Sequence, residues 1–300
     1  MDVSIVIATY NRSKALAACL DSVAAAVRHA PEVKAELIVV CNASPNDTPA
    51  VARSWAAQAA FPVRVLDEPV QGGCRARNLG MREALGHVVA ITDDDCRLAP
   101  DYIEAVAQAH AADAVPTLRG GRLELGDPDD LPMTVKTDPE PSDFALPTFP
   151  GGFLHGCNFT IPKPVIERVG YFDTRFGPGT PVGAAEDTDY LFRAWKLGVP
   201  VRYDPTLVIY HHHGRNTADE VARLNRVYNQ SDGAFYAKHV LTSPALLKNI
   251  YWDMRNALRE PFGGHKFNPA LGFSHATRVR QNLAGALLFA KSPPDGSPKR

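Results

Sequence analysis

The sequence predicts an α/β protein in which helices flank a mainly parallel sheet. In the first hundred residues, short β-branched apolar runs alternate with segments of helical periodicity, and such alternation favours parallel strands joined by right-handed helical crossovers. The chain has 300 residues, of which 45% are hydrophobic, so it can bury a substantial core. Polar, turn-rich loops follow several of the apolar runs, and a parallel sheet gathers such loops at the carboxyl ends of its strands.

The elements predicted in the first part follow in regular order. They are strand 3–9, helix 13–28, strand 36–41, helix 48–59, strand 63–67, helix 73–85 and strand 87–92. The first helix has the clearest pattern, because Leu16, Leu20, Val23 and Val27 fall on one face. The loops after the strands should therefore meet at one crevice.

The second part of the chain is less regular. Residues 127–150 are rich in Pro and Asp and predict a loop or a partly ordered excursion. The elements predicted next are strand 156–161, helix 165–169, a Gly/Pro-rich loop at 176–183, helix 186–197 and strands 199–203 and 207–211. From residue 216 we expect mostly helix, with an amphipathic segment at 277–290 and a disordered tail at 292–300.

Charge and cysteine content narrow the class of protein. The net charge is −1, so no global field attracts nucleic acid or an anionic membrane, and we expect no nucleic-acid partner. The five cysteines show neither a Cys-x-x-Cys pair nor zinc-ligand spacing, and an odd count fits a reducing compartment. The N-terminus does not resemble a signal peptide, and no stretch approaches about 18 uninterrupted apolar residues. We therefore expect a cytoplasmic protein.

Three adjacent acids, Asp93, Asp94 and Asp95, carry the strongest functional signal. They follow directly on the apolar run 87–92. Neighbouring carboxylates repel one another, so such a cluster indicates a positive partner, for which a hard divalent cation that also binds phosphate is usual. A solvated turn before a helix is the alternative for this cluster taken alone. A second acidic cluster at 185–189 and the histidines 211–213 favour metal-assisted transfer from a nucleotide-activated donor.

Five stretches, in this order, resemble the family 2 inverting nucleotide-sugar glycosyltransferases, which have the GT-A fold. They are 4–12 (SIVIATYNR), 39–47 (VVCNASPND), 76–80 (ARNLG), the Asp93-x-Asp95 triplet, and Glu186-Asp187 with the helix that follows. With 170–173 (GYFD) and 203–211, the resemblance covers roughly residues 3 to 213. It implies a GT-A catalytic domain at 1–215, whose nucleotide-sugar-binding half is about 1–98 and whose acceptor-binding half is about 99–215. A helical C-terminal extension would follow at 216–291.

The resemblance implies a metal site at the first acidic cluster. A departing nucleoside diphosphate needs charge neutralisation, which a divalent metal supplies as a Lewis acid. Asp95 is the expected metal ligand, Asp93 is expected to hold the ribose or a metal-bound water, and Asp94 would share either role. His211 would be a further contact to the metal or diphosphate, with a solvated strand end as the alternative. Mn²⁺ or Mg²⁺ suits such an oxygen-rich site.

The resemblance also implies catalytic roles for Asp187 and Glu186. Inverting transfer is a single displacement in which one carboxylate takes the proton of the acceptor hydroxyl. Asp187 is the expected base and Glu186 is expected to orient the acceptor, whereas Asp189 should face elsewhere on the helix. The alternative is that these acids are first-turn residues favoured by the helix dipole.

The expected nucleotide-binding residues follow the predicted strands or open the helix at 73–85. They are Thr9, Tyr10, Arg12, Asn42, Arg77, Asn78, Asp93 and Asp94. Tyr10 would stack on the base and Arg77 would brace its pocket, whereas a structural tyrosine and a surface ion pair are the alternatives. Cys41 stands where the family usually has Asp. Because cysteine is a poor hydrogen-bond acceptor, Asn42 or Asp67 would have to substitute, and the nucleobase stays open.

The leading hypothesis is a metal-dependent inverting glycosyltransferase with a nucleotide-diphosphate sugar as donor and a hydroxyl acceptor, such as a polysaccharide or lipid-linked glycan. The alternatives are a nucleotidyltransferase and an inactive sugar-nucleotide-binding protein. Residues 8–14 contain no glycine for a triphosphate loop, which disfavours the first, and the retained acids disfavour the second. Neither the sugar nor the acceptor is identified by the sequence.

Three further expectations concern the periphery of the site. Acceptor contacts should come from 127–150, 176–183 and the helical C-terminus. The amphipathic segment 277–290 either packs on the core or touches the inner face of a membrane peripherally. Cys41, Cys74 and Cys96 are expected to be reactive thiols at the crevice, with burial as small apolar residues the alternative.

Overall fold

The structure is a computed structural model that describes residues 1–267 and 273–293. Its strands are β1 (Val3–Thr9), β2 (Ala35–Asn42), β3 (Val63–Glu68), β4 (Val88–Asp93), β5 (Cys96–Leu98), β6 (Leu118–Leu125), β7 (Ser142–Asp143), β8 (Asn158–Pro162) and β9 (Val201–His211). Its α-helices are α1 (Ser13–His29), α2 (Thr48–Ala56), α3 (Gly73–Glu83), α4 (Tyr102–Ala111), α5 (Lys163–Val169), α6 (Glu186–Lys196), α7 (Ala218–His239), α8 (Leu247–Arg259) and α9 (His275–Lys291). The predicted tail lies outside the described residues from 294 onward.

The strands form one mixed, mainly parallel sheet. Its order is β3-β2-β1-β4-β8-β6-β9-β5, with β7 paired to β9. The first four strands of this order are parallel, and β6 is parallel to β9. β8, inserted between β4 and β6, is antiparallel to both, as β5 and β7 are to β9. The predicted fold class is confirmed.

Side chains alternate across the sheet and build one core layer on each face. Ile5 and Ile7 of β1 pack with the buried faces of α1, α2 and α4, whereas Val6 packs with those of α3, α5, α6 and α7. The period of two in a strand therefore distributes β1 between the two layers. Both layers lie behind the carboxyl ends of β1, β2 and β4, whose loops are left free to form a site.

The single strand β9 replaces the two strands that were predicted at 199–203 and 207–211. β9 runs through Pro205, and its pairing with β6 slips between Gly121 and Arg122, which face Asp204 and Val208. The residues between these partners bulge out of the ladder, so proline needs no ladder hydrogen bond there. A Cβ on Gly121 would lie 2.0 Å from the Leu207 carbonyl oxygen, so glycine permits the close approach of the bulge.

β6 and the excursion 127–150 show where hydrophobic pattern alone falls short. The sequence of β6 contains two glycines and two arginines, so it lacks a strand pattern, yet buried Arg119 is paired with Asp113 and Asp204. The excursion is largely irregular, as expected. It nevertheless contributes β7 and the buried Phe144 to the fold.

The helices after residue 216 pack on one another and on the sheet layer. α7 begins with a capping box between Thr217 and Glu220, and α9 crosses α7 closely. A Cβ on Gly285 would lie 1.6 Å from the Gln230 carbonyl oxygen, and one on Gly233 would lie 1.8 Å from that of Asn282. Within residues 1–267 and 273–293, no helix is long and apolar enough to cross a membrane. The domain boundary at 215 stays a prediction.

Candidate active site

The carboxyl ends of β1 and β4, the first turn of α6 and the end of β9 surround a cavity of about 600 Å³. β1 and β4 are paired so that Ala8 lies opposite Asp93. This register places the loop after β1 beside the acidic triplet. Of the predicted site residues, those lining the cavity are Thr9, Tyr10, Arg12, Asn42, Arg77, Asp93, Asp94, Asp95, Glu186, Asp187 and His211.

Asp94 is held by the loop that follows β1. The Thr9 hydroxyl donates to Asp94 Oδ2 at 2.7 Å, and Arg12 Nη1 donates to Asp94 Oδ1 at 3.2 Å. Burial raises the pKa of Asp94 to about 6, although Arg12 opposes the rise. Thr9 and Arg12 therefore position an acid of the triplet in this structure.

Asp95 and His211 form the part of the site that suits a metal. His211 Nε2 lies 3.5 Å from Asp95 Oδ1, and ligand atoms of Asp95, Cys96 and His211 lie within 4.8 Å of one another. Although burial lowers it, contact with Asp95 raises the pKa of His211 to about 9. Burial opposes a low pKa at Asp95, but His211 and Arg12 overcome it and hold that pKa below its usual range.

The donor set at Asp95 fits a divalent cation. Carboxylate oxygens with one imidazole suit Mn²⁺ or Mg²⁺. Arg12 Nη1 already contacts Asp95 Oδ2, so a positive group is stable at these oxygens. Thr134 Oγ1 lies 3.1 Å from His211 Nδ1 and orients the ring, as partners of the second nitrogen do for metal-binding histidines.

Arg77 joins the two acidic clusters. Its Nη1 donates to Glu186 Oε1 and its Nη2 to Asp93 Oδ1, both at 2.6 Å. The Arg77 side chain is 5% exposed and that of Glu186 is 9% exposed, so this ion pair is shielded from water. The surface ion pair considered from the sequence is wrong, because the guanidinium is buried between carboxylates 93 residues apart in the chain.

The Asp187 side chain lines the cavity, and two backbone amides fix its carboxylate. Its Oδ2 accepts from the Gly156 amide at 3.1 Å, and its Oδ1 accepts from the Thr188 amide at 2.6 Å. Glu186 differs, because burial raises its pKa while Arg77 occupies its carboxylate. Asp189 faces away, as expected, and pairs with Arg193, Lys238 and His239.

Two of the predicted nucleotide contacts are structural amides. Asn78 is buried outside the cavity lining, where its side chain donates to the Phe172 carbonyl at 2.8 Å and accepts from the Phe172 amide at 2.9 Å. The structure thus contradicts its placement at the nucleotide. Asn42 reaches the lining, but its side chain is hydrogen-bonded to the backbone of Glu68, Val70 and Gly72. Asn42 therefore shapes the loop beside the cavity.

The residues proposed for base recognition differ in exposure. Tyr10 is exposed at the rim of the cavity, which leaves its ring free to stack. Asp67 is absent from the described lining and pairs with Arg53 on the surface. Gln71 lines the cavity next to Asn42 and was not singled out from the sequence. Asp67 is thus poorly placed to replace the carboxylate missing at Cys41.

Several cavity residues were not predicted individually from the sequence. His155 lines the cavity immediately before Gly156, and burial lowers its pKa. Tyr228 and Asp232 of α7 and Arg278 of α9 form a further wall. Arg278 pairs with Asp232 at 3.0 Å. The helical C-terminus was expected to supply contacts, but its helices carry no motif that indicates which of their residues do so.

The cysteines are not exposed thiols. All five are free and buried. Burial raises the pKa of Cys41 to about 11 and raises that of Cys74 as well, and Cys157 and burial raise that of Cys96. The expectation of reactive thiols at the crevice is wrong, because the side chains of Cys41, Cys74 and Cys96 are all buried.

Comparison with known proteins decides the family. The model of glycosyl transferase family 2 matches residues 4–170, more than half of the chain. The chain belongs to this family. The matched segment contains the acidic triplet and Arg77, whereas Asp187 and His211 lie beyond it. The predicted family is confirmed.

Two curated relatives are similar over part of their length. Glycosyltransferase AglE of Haloferax volcanii is 28% identical over 123 residues, which are 41% of this chain and 40% of AglE. The uncharacterized glycosyltransferase YwdF of Bacillus subtilis is 34% identical over 109 residues, which are 36% of this chain and 38% of YwdF. The chain thus matches about two fifths of the length of these relatives.

Solved structures support the GT-A fold. The mannosyltransferase PcManGT from Pyrobaculum calidifontis, in complex with GDP-Man and Mn²⁺, has a TM-score of 0.55 at 16% identity, over 96% of this chain and 72% of its own. S. aureus TarS 1–349 in complex with UDP has a TM-score of 0.57 at 14% identity, over 97% of this chain and 90% of its own. At such identity the likeness shows the fold alone.

Proposed function

We propose that this chain is a metal-dependent inverting glycosyltransferase that moves a sugar from a nucleotide-diphosphate sugar to a hydroxyl acceptor. The observation that carries the proposal is the cavity itself. Asp95, His211 and Asp187 line the same space of about 600 Å³. That volume falls in the range of small-molecule sites, and its polar groups converge on it.

The donor side of the proposal rests on the acids of β4. Asp95 and His211 would hold Mn²⁺ or Mg²⁺, with Asp93 and Asp94 beside them. When bound, the cation neutralises the charge of the departing diphosphate as a Lewis acid. Thr9, Tyr10 and Arg12 would border the nucleotide from the neighbouring loop. The Mn²⁺ and GDP-Man in PcManGT and the UDP in TarS support this assignment.

Asp187 is the proposed general base. Its carboxylate would take the proton of the acceptor hydroxyl while the hydroxyl oxygen bonds to the anomeric carbon. The bond from that carbon to the phosphate oxygen breaks on the opposite face, and its electron pair leaves with the diphosphate. The Gly156 and Thr188 amides fix the orientation of the carboxylate. The Glu186 carboxylate accepts a hydrogen bond from Arg77. Glu186 would therefore orient the acceptor and would not take its proton.

The acceptor would bind on the side away from the nucleotide. All three regions expected to supply acceptor contacts reach the cavity: Thr134 and Phe149 from the excursion, Pro178 and Gly183 from the Gly/Pro-rich loop, and Tyr228 from α7. We therefore propose that about residues 1–98 bind the nucleotide. About residues 99–215, together with α7 and α9, would bind the acceptor. A glycan or lipid-linked glycan is the proposed acceptor class. Free cysteines suit cytoplasmic action.

A panel of sugar nucleotides, incubated with the protein and Mn²⁺, tests the proposal. We expect slow hydrolysis of the correct donor with release of nucleoside diphosphate, and inversion at the anomeric carbon by NMR. Pyrophosphate would instead indicate a nucleotidyltransferase, and retention would exclude single displacement. Binding of a sugar nucleotide without turnover, even with an acceptor panel, would indicate an inactive binding protein.

A further inference from the structure

α8 carries a continuous apolar stripe on its outer surface. Leu247, Tyr251, Met254 and Leu258 are all more than half exposed, with Leu258 at 76%, and Phe262 in the following turn is 90% exposed. The spacing of four, three and four residues places the four helical side chains within about 60° around the axis. Scattered apolar residues on a surface are ordinary, whereas an aligned row of this length indicates a docking surface.

The opposite side of α8 is fixed to the protein. Asp253 and Asn256 are buried there. Asp253 Oδ2 accepts from Arg278 Nε at 2.8 Å, and its Oδ1 lies 3.2 Å from His275 Nδ1. These contacts to α9 set the rotation of the helix. The stripe is therefore held outward by buried polar contacts on the inner face.

A basic row runs beside the stripe. Lys248, Arg255 and Arg259 recur at i, i+7 and i+11, about 70–110° from the centre of the stripe around the axis. Within the described parts of the chain, none of the three forms an ion pair. The acids of this segment are occupied, Asp253 by Arg278 and Glu260 by the His275 amide. The net charge of −1 for the whole chain thus conceals a local positive surface.

The same surface continues toward the active-site cavity. Lys248, Asn249 and Trp252 line a groove of about 330 Å³ together with Phe149 and Arg278. Phe149 and Arg278 also line the larger cavity that contains Asp187. The groove beside α8 and the active-site cavity therefore adjoin each other, because the side chains of Phe149 and Arg278 line both.

We propose that this face of α8, formed by the apolar stripe and the basic row, docks on the surface of an anionic lipid bilayer. Leu247, Met254 and Leu258 would enter the boundary between headgroups and acyl chains, while the basic row binds lipid phosphates, as in interfacial amphipathic helices. A second copy of the chain fits less well, because pairing two such faces brings like charges together. This placement moves the membrane contact expected at 277–290 to the preceding helix. It does not depend on the proposed activity.

Sedimentation of the full chain with vesicles of phosphatidylcholine, with and without phosphatidylglycerol, tests the proposal. We expect binding to the anionic vesicles that weakens with salt, and a blue shift of fluorescence that Trp252→Phe diminishes. The triple variant Lys248→Gln, Arg255→Gln, Arg259→Gln should bind on the order of 100-fold more weakly, from about fivefold per basic residue. Leu258→Glu should also weaken binding.

The matched control removes the same charge elsewhere. Arg28, Lys34 and Arg82 are exposed basic residues of the first part of the chain. The triple variant Arg28→Gln, Lys34→Gln, Arg82→Gln should bind anionic vesicles as the wild-type protein does. Equal loss in both triple variants, or no binding by the wild-type protein, would overturn the proposal. A dimer in light scattering that Leu258→Glu dissociates would assign the face to a second copy instead.

Discussion

Replacing Arg77 by methionine should destabilise the protein strongly, because it leaves two carboxylates without their shared cation. Arg77 contacts Glu186 and Asp93, each at 2.6 Å. Methionine keeps much of the volume of the arginine stem, so the loss is chiefly of charge and of hydrogen bonds. The two partners contribute unequally, since the Glu186 side chain is 9% exposed and that of Asp93 is 32% exposed.

The expected loss is dominated by the buried partner. Removing one member of a buried ion pair costs about 3–5 kcal/mol, because the other charge remains desolvated. The better solvated Asp93 adds about 0–1 kcal/mol at most. Since domains are stable by about 5–15 kcal/mol in total, the variant should lose a large fraction of its free energy of unfolding.

Urea unfolding at two pH values measures this loss and its cause. Burial already raises the pKa of Glu186, and without Arg77 it should rise further above 4.5, so the native variant holds a proton that the unfolded chain has lost. By linkage, the free energy of unfolding of the variant increases as the pH falls toward the pKa of this carboxyl in the unfolded chain. The loss should therefore be smaller at about pH 5 than at about pH 8.

The matched controls separate charge from packing. Arg75→Met alters the same helix at a residue that forms no ion pair in the described structure, and should change stability by less than about 0.5 kcal/mol. Adding Glu186→Gln to Arg77→Met should restore part of the loss, because the uncompensated charge is removed. A loss below about 1 kcal/mol that does not vary with pH would refute the reasoning.

Four further outcomes are expected. Asp187→Asn should lower kcat on the order of 10²-fold or more with donor binding little changed, because the amide cannot accept a proton; near-normal kcat at saturating substrates excludes Asp187 as the base. Asp95→Ala should abolish Mn²⁺-dependent binding of nucleoside diphosphate in calorimetry while circular dichroism is unchanged, and wild-type affinity would contradict the metal site. Maleimide should label the buried cysteines slowly in the native protein and fully after denaturation, so rapid native labelling of Cys41, Cys74 or Cys96, seen by mass spectrometry, would show that they are exposed. Gly285→Ala should lower stability by about 1–3 kcal/mol in thermal unfolding, because its Cβ would meet the Gln230 carbonyl oxygen at 1.6 Å; an unchanged Tm would mean that α7 and α9 do not cross so closely.

Local pattern predicted most of the first half of the fold. Each strand of the parallel part is a short apolar run between turn residues, and each helix has its own periodic face, so the bounds differ from the structure by a few residues. The acidic triplet was found for the same reason, since a strand that ends in three carboxylates is a local signal. The apolar runs of the strands, the periodic faces of the helices and the acidic triplet were enough to predict these elements.

Contacts between distant residues could not be predicted in this way. Asn78 and Asn42 have the same polar side chain as a nucleotide ligand would, yet their amides bind backbone groups that the fold brings near. Arg77 is separated from Glu186 by 109 residues. β6 is held by burial of Arg119 against two acids, which a hydrophobic pattern does not register.

The crossing of α7 and α9 ties the shape of the cavity to the stability of the protein. Arg278 of α9 and Asp232 of α7 line the cavity, and the two helices meet through glycines at 233 and 285, where a side chain would strike backbone. A larger residue at either glycine would separate the helices and shift the paired side chains together. Substitutions at these glycines that change the shape of the cavity should therefore also lower the stability of the protein. A stable protein with a reshaped cavity wall should require compensating substitutions in both helices.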